Sequence, residues 1–131
     1  MTIVHLVPSL VKGGGERAAV DLANWQSRQG HSVTVVAGSM VDERLLRDQL
    51  YEGVEVIYVT RSAGRLARYI AGLAWLWRKR SWVAHQDIVH AHMSFSAVLL
   101  TAIYYWRRQS GVPKPRLFET YHAVGMCRRG I

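Results

Sequence analysis

Three consecutive glycines, Gly13, Gly14 and Gly15, separate a short apolar run from a helical pattern. Backbone N–H groups at a helix N-terminus can bind a phosphate or another anion, and the positive end of the helix dipole assists them. The spacing is neither the Gly-x-Gly-x-x-Gly of dinucleotide-binding folds nor that of a P-loop. The next apolar run, residues 33–37, is not followed by the acid that would hold a ribose. The loop therefore predicts an anion site, with a plain surface turn as the alternative.

The histidines are the other candidates for chemistry. His90 and His92 lie two residues apart in an apolar run, so a strand would place both side chains on one face. They could provide two metal ligands, but no third is evident, and we expect no metal site. His90 is expected to pack beneath the following helix and His92 to face a cleft, while mid-strand His5 is expected to be a hydrogen-bonded core residue. His122 follows the last apolar run, at a strand end on the ligand side of the predicted sheet, which favours a functional role; a loop histidine bonded to backbone is the alternative.

The stretch Arg65–Trp82 combines cations with tryptophans. At 100° per residue, one apolar stripe is predicted to face the core, and it contains Leu66, Tyr69, Ile70, Leu73, Leu76 and Trp77. The opposite face carries Arg68, Trp75, Lys79 and Trp82. Indole rings among cations suit an anionic membrane surface, so these four residues are the predicted membrane contacts. The alternative is a solvated face whose tryptophans pack on a neighbouring loop or partner domain.

The charge is uneven along the chain. The net charge is +8, yet residues 1–55 carry five Lys/Arg and seven Asp/Glu, and residues 56–131 carry twelve Lys/Arg and two acids. Such a field attracts phosphorylated substrates, anionic membranes or nucleic acid. Nucleic acid is disfavoured, because no nucleic-acid motif is recognisable and the arginines cluster on one amphipathic helix.

Length and composition indicate one soluble, cytoplasmic domain. The chain has 131 residues, half of them hydrophobic, which excludes a disordered protein. A single cysteine, Cys127, excludes a disulfide framework. The first residues lack a basic segment, and no run of about 20 apolar residues occurs, so neither a signal peptide nor a membrane span is expected.

Strand and helix patterns alternate along the chain. Strands are predicted at Ile3–Val7, Val33–Ala37, Val54–Val59, Asp87–Ala91 and Arg116–Thr120, and helices at Glu16–Gln29, Asp42–Leu50, Arg65–Trp82 and Phe95–Arg108. This order predicts an α/β fold with a doubly wound, Rossmann-like parallel sheet and helices on both faces. Phe95–Arg108 is apolar almost all round, which indicates burial, or a contribution to an apolar pocket beside the helix Arg65–Trp82.

Four segments resemble those of one enzyme family. The start Ile3–Leu10, followed by Gly13-Gly14-Gly15-Glu16-Arg17, resembles the start of family 4 retaining glycosyltransferases of the GT-B fold. Gln29–Val36 is similar to that family's "RGHEVTVV" segment, Asp87–His92 to its "DIVHAH" strand, and Glu119–His122 to its "T-x-H" strand end.

The resemblance implies an N-terminal, acceptor-side domain of an enzyme that moves a sugar from a nucleotide-diphosphate donor to a lipid-linked or polysaccharide-precursor acceptor at the membrane. Gly13, Gly14 and Gly15 would meet the donor diphosphate, His122 would assist the chemistry, and His92 and Glu16 would line the cleft. No cofactor beyond the donor is implied. The family's C-terminal basic pair and E-x7-E motif have no match, so we expect the chain to be truncated and inactive alone, with the C-terminal domain as its partner. The alternative is a non-catalytic module that binds an anionic ligand or a partner protein.

Overall fold

The computed structural model describes residues 1–10, 14–39, 49–60, 64–111 and 115–120, with residues 14, 15, 39, 65 and 93–95 described by their backbone alone. In chain order the elements are β1 (Thr2–Ser9), α1 (Gly14–Arg28), β2 (Ser32–Ser39), β3 (Val54–Thr60), α2 (Arg65–Arg78), α3 (Arg80–Ala84), β4 (Ile88–His92), α4 (Met93–Ser110) and β5 (Arg116–Thr120). The five strands form one parallel sheet in the order β3-β2-β1-β4-β5. The predicted doubly wound α/β fold is confirmed.

Most predicted strand and helix ends agree with the observed ones to within two residues. The first helix begins two residues earlier than predicted, at Gly14. The predicted helix Arg65–Trp82 is interrupted at Lys79, which ends α2 and precedes the short α3. Of the predicted helix Asp42–Leu50, residues 42–48 lie outside the described residues, and residues 49 and 50 are not helical.

Two apolar cores lie on opposite faces of the sheet, because successive strand residues point to opposite sides. Helix α1 covers the first core, to which β1 and β2 contribute Ile3, Val7, Val33, Val35 and Ala37. Helices α2 and α4 cover the second core, which includes Val4, Leu6, Val36, Val89, Ala91, Leu99 and Ile103. The histidines of β1 and β4 alternate with the residues of the second core, so they face the α1 side.

A reciprocal pair of hydrogen bonds aligns β1 with β4 at the amino end of both strands. The backbone N–H of Thr2 donates to Asp87 Oδ2 at 2.8 Å, and the backbone N–H of Asp87 donates to Thr2 Oγ1 at 3.0 Å. The parallel register that follows places His5 directly beside His90.

The face of α2 that packs on the sheet is only partly the predicted one. Tyr69 and Leu76 of the predicted stripe pack against the second core, but the rest of the packed face lies to one side of that stripe. Trp75 is only 5% exposed and lies in the second core, and the half-buried Trp82 meets its ring edge-on at a centroid distance of 6.2 Å. Four residues of the predicted core stripe are instead exposed: Leu66, Ile70, Leu73 and Trp77. Large apolar side chains occur on both sides of the helix, so its periodicity does not decide which side is buried. Indole rings bury more area than aliphatic side chains, which favours the tryptophan-bearing side for the core.

Candidate functional site

The carboxyl edge of the sheet between β1 and β4 is the candidate functional site. From β1 the chain continues through α1 on one face, and from β4 it continues through α4 on the other face. Neighbouring strands whose helices lie on opposite faces define a topological switch point, and ligands of doubly wound folds bind in the crevice there.

Helix α1 begins with Gly14 and Gly15, followed by Glu16. Their backbone N–H groups belong to the first turn, where intrahelical acceptors are lacking and an anion can take their place. Glu16 is half-buried in that turn, where a carboxylate is stabilised by the helix dipole and would oppose a bound phosphate. Gly13, the remaining member of the predicted anion loop, lies outside the described residues.

A buried hydrogen-bonded chain runs from α1 to β4 through two histidines. Gln26 Oε1 lies 2.6 Å from His5 Nε2, so His5 carries its proton on Nε2, and its Nδ1 accepts from His92 Nε2 at 3.0 Å. Burial lowers the pKa of His5 from 6.5 to about 4; the hydrogen bond that His5 donates to Gln26 acts in the raising direction, and the charge of His90 lowers the pKa further. The expectation that His5 is a hydrogen-bonded core residue is confirmed.

Two expectations for the β4 histidines are wrong. His90 does not pack beneath the following helix, because α4 covers the face of β4 that carries Val89 and Ala91. Its Nε2 lies 2.6 Å from Thr120 Oγ1 of β5 instead. His92 is at the carboxyl end of β4 as predicted, but its side chain is 2% exposed and turns toward His5 rather than into an open cleft.

Most of the predicted membrane contacts are not on the surface of α2 and α3. Trp75 and Trp82 pack against the second core, and Arg68 is half-buried, so only Lys79 of the four is exposed. The exposed apolar stripe of α2 runs along Leu66, Ile70, Leu73 and Trp77. Beside it, α2 and α4 form a groove of about 350 Å³ whose lining includes Leu76, Ile103 and Trp106.

A cation accompanies this stripe. The guanidinium of Arg80 lies 4.1 Å from the centre of the Trp77 ring, and its Nη1 donates to the Trp77 carbonyl oxygen at 2.6 Å. Within the described ranges, no helix has both the length and the hydropathy needed to cross a bilayer.

Comparison with known proteins identifies the family. The sequence profile described as Glycosyltransferase Family 4 matches residues 12–129, which is most of the chain. The chain belongs to glycosyltransferase family 4. No curated protein matches it significantly.

Solved glycosyltransferase structures share the fold of this family 4 chain. The apo structure of Phytolacca americana UGT2 superposes with a TM-score of 0.61 at 18% identity, covering 97% of this chain and 30% of that one. The same plant protein complexed with UDP-2fluoro-glucose and pterostilbene gives a TM-score of 0.61 at 16% identity, covering 97% and 32%. The chain therefore spans about one third of the length of these structures.

Two residues near the site of this glycosyltransferase chain, His5 and Ser96, were not recognised from the sequence. His5 lies beside His90 and His92 because β1 pairs with β4, so the structure contains the third possible ligand that was not evident in the sequence. Ser96 was also missed; it is fully buried in α4, and its hydroxyl has no hydrogen-bond partner among the described residues. The predicted catalytic residue His122 lies outside the part of the chain that the structure describes.

Proposed function

We propose that this family 4 chain is the acceptor-side domain of an enzyme that transfers a sugar, with retention, from a nucleotide-diphosphate donor to a lipid-linked or polysaccharide-precursor acceptor. One observation carries the proposal: the family match covers a glycine-bearing helix start at the switch point between β1 and β4. A second, donor-binding domain would complete the cleft.

In this mechanism, α1 acts on the leaving group. The N–H groups of Gly14 and Gly15, with Gly13 before them, would stabilise the negative charge that develops on the departing diphosphate. Hydrogen-bond donors that already point toward that charge need no reorganisation during the reaction, which makes such electrostatic stabilisation effective. Glu16, in the same turn, would then contact a sugar or acceptor hydroxyl rather than a phosphate.

His122 and His92 would have different roles in the reaction. His122 would orient the transferred sugar, as its match to the family's "T-x-H" strand end implies. His92 would act from beneath the cleft, because its side chain is buried against His5 and would shape the carboxyl edge of β4 without touching the substrate.

The exposed stripe of α2 supports a membrane-bound acceptor. Leu66, Ile70, Leu73 and Trp77 present apolar side chains, and Arg80 adds a cation to the same surface. No acid occurs between Glu55 and Asp87, so this region attracts anionic headgroups. Because α2 starts at the carboxyl end of β3, the stripe leads from the site edge toward the groove beside α4. The enzyme would dock peripherally on the cytoplasmic membrane face.

The test is sugar transfer by the full-length protein. A panel of radiolabelled nucleotide-diphosphate sugars, including UDP-glucose and GDP-mannose, is incubated with the protein and membrane lipid extract, and labelled lipid is extracted and counted. We expect transfer from one donor, and at least a roughly 100-fold loss of turnover in His122→Ala, since misplacing a reacting group costs about that much. His85→Ala, which alters an exposed histidine of the same chain, should retain activity. Unchanged turnover in His122→Ala would remove that residue from the mechanism, and absence of transfer from any nucleotide sugar would contradict the proposed function.

A further inference from the structure

Three imidazole rings meet in the sheet beneath the switch point. His5 comes from β1, and His90 and His92 come from the neighbouring β4. One ring nitrogen of each residue can be chosen so that all three lie within 4.8 Å of one another. The ring centroids are 5.3 Å apart for His5 and His90, 5.2 Å for His5 and His92, and 4.1 Å for His90 and His92. This clustering is independent of the sugar-transfer proposal.

Oxygen atoms on two other elements orient two of the rings. His5 Nε2 is held by Gln26 Oε1 of α1, and His90 Nε2 is held by Thr120 Oγ1 of β5, each at 2.6 Å. Histidine ligands of metals characteristically donate their second ring N–H to an oxygen acceptor, which fixes the tautomer and turns the other nitrogen toward the ion. Gln26 Oε1 can only accept, so His5 carries its proton on Nε2 and its lone pair on Nδ1. The Thr120 hydroxyl can accept from His90 Nε2 in the same way, which leaves the His90 lone pair on Nδ1.

We propose that His5, His90 and His92 bind one Zn²⁺ ion between β1 and β4. Three neutral imidazoles form a ligand set that suits zinc, whereas Mg²⁺ and Ca²⁺ require oxygen ligands. In a tetrahedral site the ligand nitrogens are about 3.3 Å apart, given Zn–N bonds of about 2.0–2.1 Å. His5 Nδ1 and His92 Nε2, at 3.0 Å, are already close to that separation. The third nitrogen, from His90, is already within 4.8 Å of the ligand nitrogens of the other two residues.

The open side of the cluster gives the ion a route of entry. His90 is only half-buried, and the neighbouring Phe118, whose ring lies 6.3 Å from the His90 ring, is 50% exposed. Since the protein supplies three ligands, water would fill the fourth position. The ion replaces the hydrogen bond between His5 and His92, and the displaced proton of His92 moves to Nδ1. The bound Zn²⁺ ion thereby joins β1 to β4 and fixes His92 at the carboxyl edge of the sheet.

The experiment measures metal binding by the full-length protein. The protein carries Cys127→Ser, so that the thiol does not bind zinc, and any affinity tag is removed. After dialysis against EDTA, Zn²⁺ is titrated in competition with a chromophoric chelator, and Co²⁺ is added separately to record its visible spectrum. We expect one equivalent of Zn²⁺ and the strong visible absorption of tetrahedral Co²⁺. His90→Gln should lower the Zn²⁺ affinity at least tenfold, and His85→Gln, at an exposed histidine, should leave it unchanged.

A milder variant keeps the test decisive if His90→Gln disturbs folding, which circular dichroism will reveal. Thr120→Val retains all three ligands and removes the oxygen that holds His90, and we expect it to weaken Zn²⁺ binding about 10- to 100-fold. The proposal is overturned if the parent protein binds no Zn²⁺ or gives no tetrahedral Co²⁺ spectrum. It is also overturned if folded His90→Gln binds Zn²⁺ as tightly as the parent.

Discussion

His5 Nδ1 lies 3.0 Å from His92 Nε2, and this bond links the central strand β1 to the carboxyl end of β4 inside the protein. The link joins the α1-covered core to the edge where the family 4 site is proposed. It consists of titratable groups placed where charge is costly, since His5 is fully buried. The protonation state of this histidine pair should therefore affect both the stability of the protein and the geometry of the carboxyl edge of the sheet.

Acidification should destabilise the metal-free protein through His5. The pKa of His5 is about 4 in the folded protein and 6.5 in the unfolded chain, so the unfolded state binds more protons between these values. The contribution of His5 to the free energy of unfolding is fully present above pH 6.5. It is lost as the pH decreases toward 4, and the loss is at most about 3 kcal/mol. The groups that face His5 are His90, His92 and the neutral Gln26.

Urea unfolding at several pH values in EDTA measures this effect. In His5→Gln the dependence between pH 6.5 and 4 should shrink, whereas the exposed-residue control His85→Gln should retain it. An identical pH dependence in the parent and in His5→Gln would show that other groups account for the acid sensitivity.

Substitutions on the two sides of α2 should have opposite consequences for stability. Trp75→Ala removes a ring that is 5% exposed and should lower the free energy of unfolding by about 3–5 kcal/mol. Trp77→Ala removes a ring that is 64% exposed, and its effect should be within about 0.5 kcal/mol, apart from its contact with Arg80. Denaturant unfolding of both variants checks this, and a larger loss in Trp77→Ala than in Trp75→Ala would reverse the assignment of faces.

The exposed stripe should bind anionic membranes. Ile70→Ser with Trp77→Ser should reduce co-sedimentation of the full-length protein with vesicles containing phosphatidylglycerol, because both apolar anchors are lost. Trp25→Ser is the matched control, since Trp25 is similarly exposed, at 59%, but lies on α1 across the sheet. Binding should weaken as salt is raised and be poor with neutral vesicles. If the control variant loses as much binding as the double variant, or if the double variant binds as the parent does, the stripe is not the membrane contact.

The sequence predicted the fold more completely than the site, for identifiable reasons. Alternating strand and helix patterns define the order of the elements, and the apolar runs at residues 3–7 and 88–91 are long enough to be assigned as buried strands. The orientation of α2 could not be predicted, because both of its sides are apolar and only the packing of Trp75 on the sheet distinguishes them. The role of His5 depends on which strand lies beside β1, and this is a property of the tertiary fold.

The start of α1, beside β4, is the proposed binding site for the diphosphate of the nucleotide sugar. Hydrogen exchange of the full-length protein, with and without the donor that supports transfer, tests it directly. At a donor concentration 100 times its Kd, the amides of Gly14, Gly15 and Glu16 should exchange up to about 100-fold more slowly, while those of α3, at the other end of the sheet, should not change beyond any global stabilisation. Protection elsewhere in the protein, with unchanged exchange at the start of α1, would contradict the account.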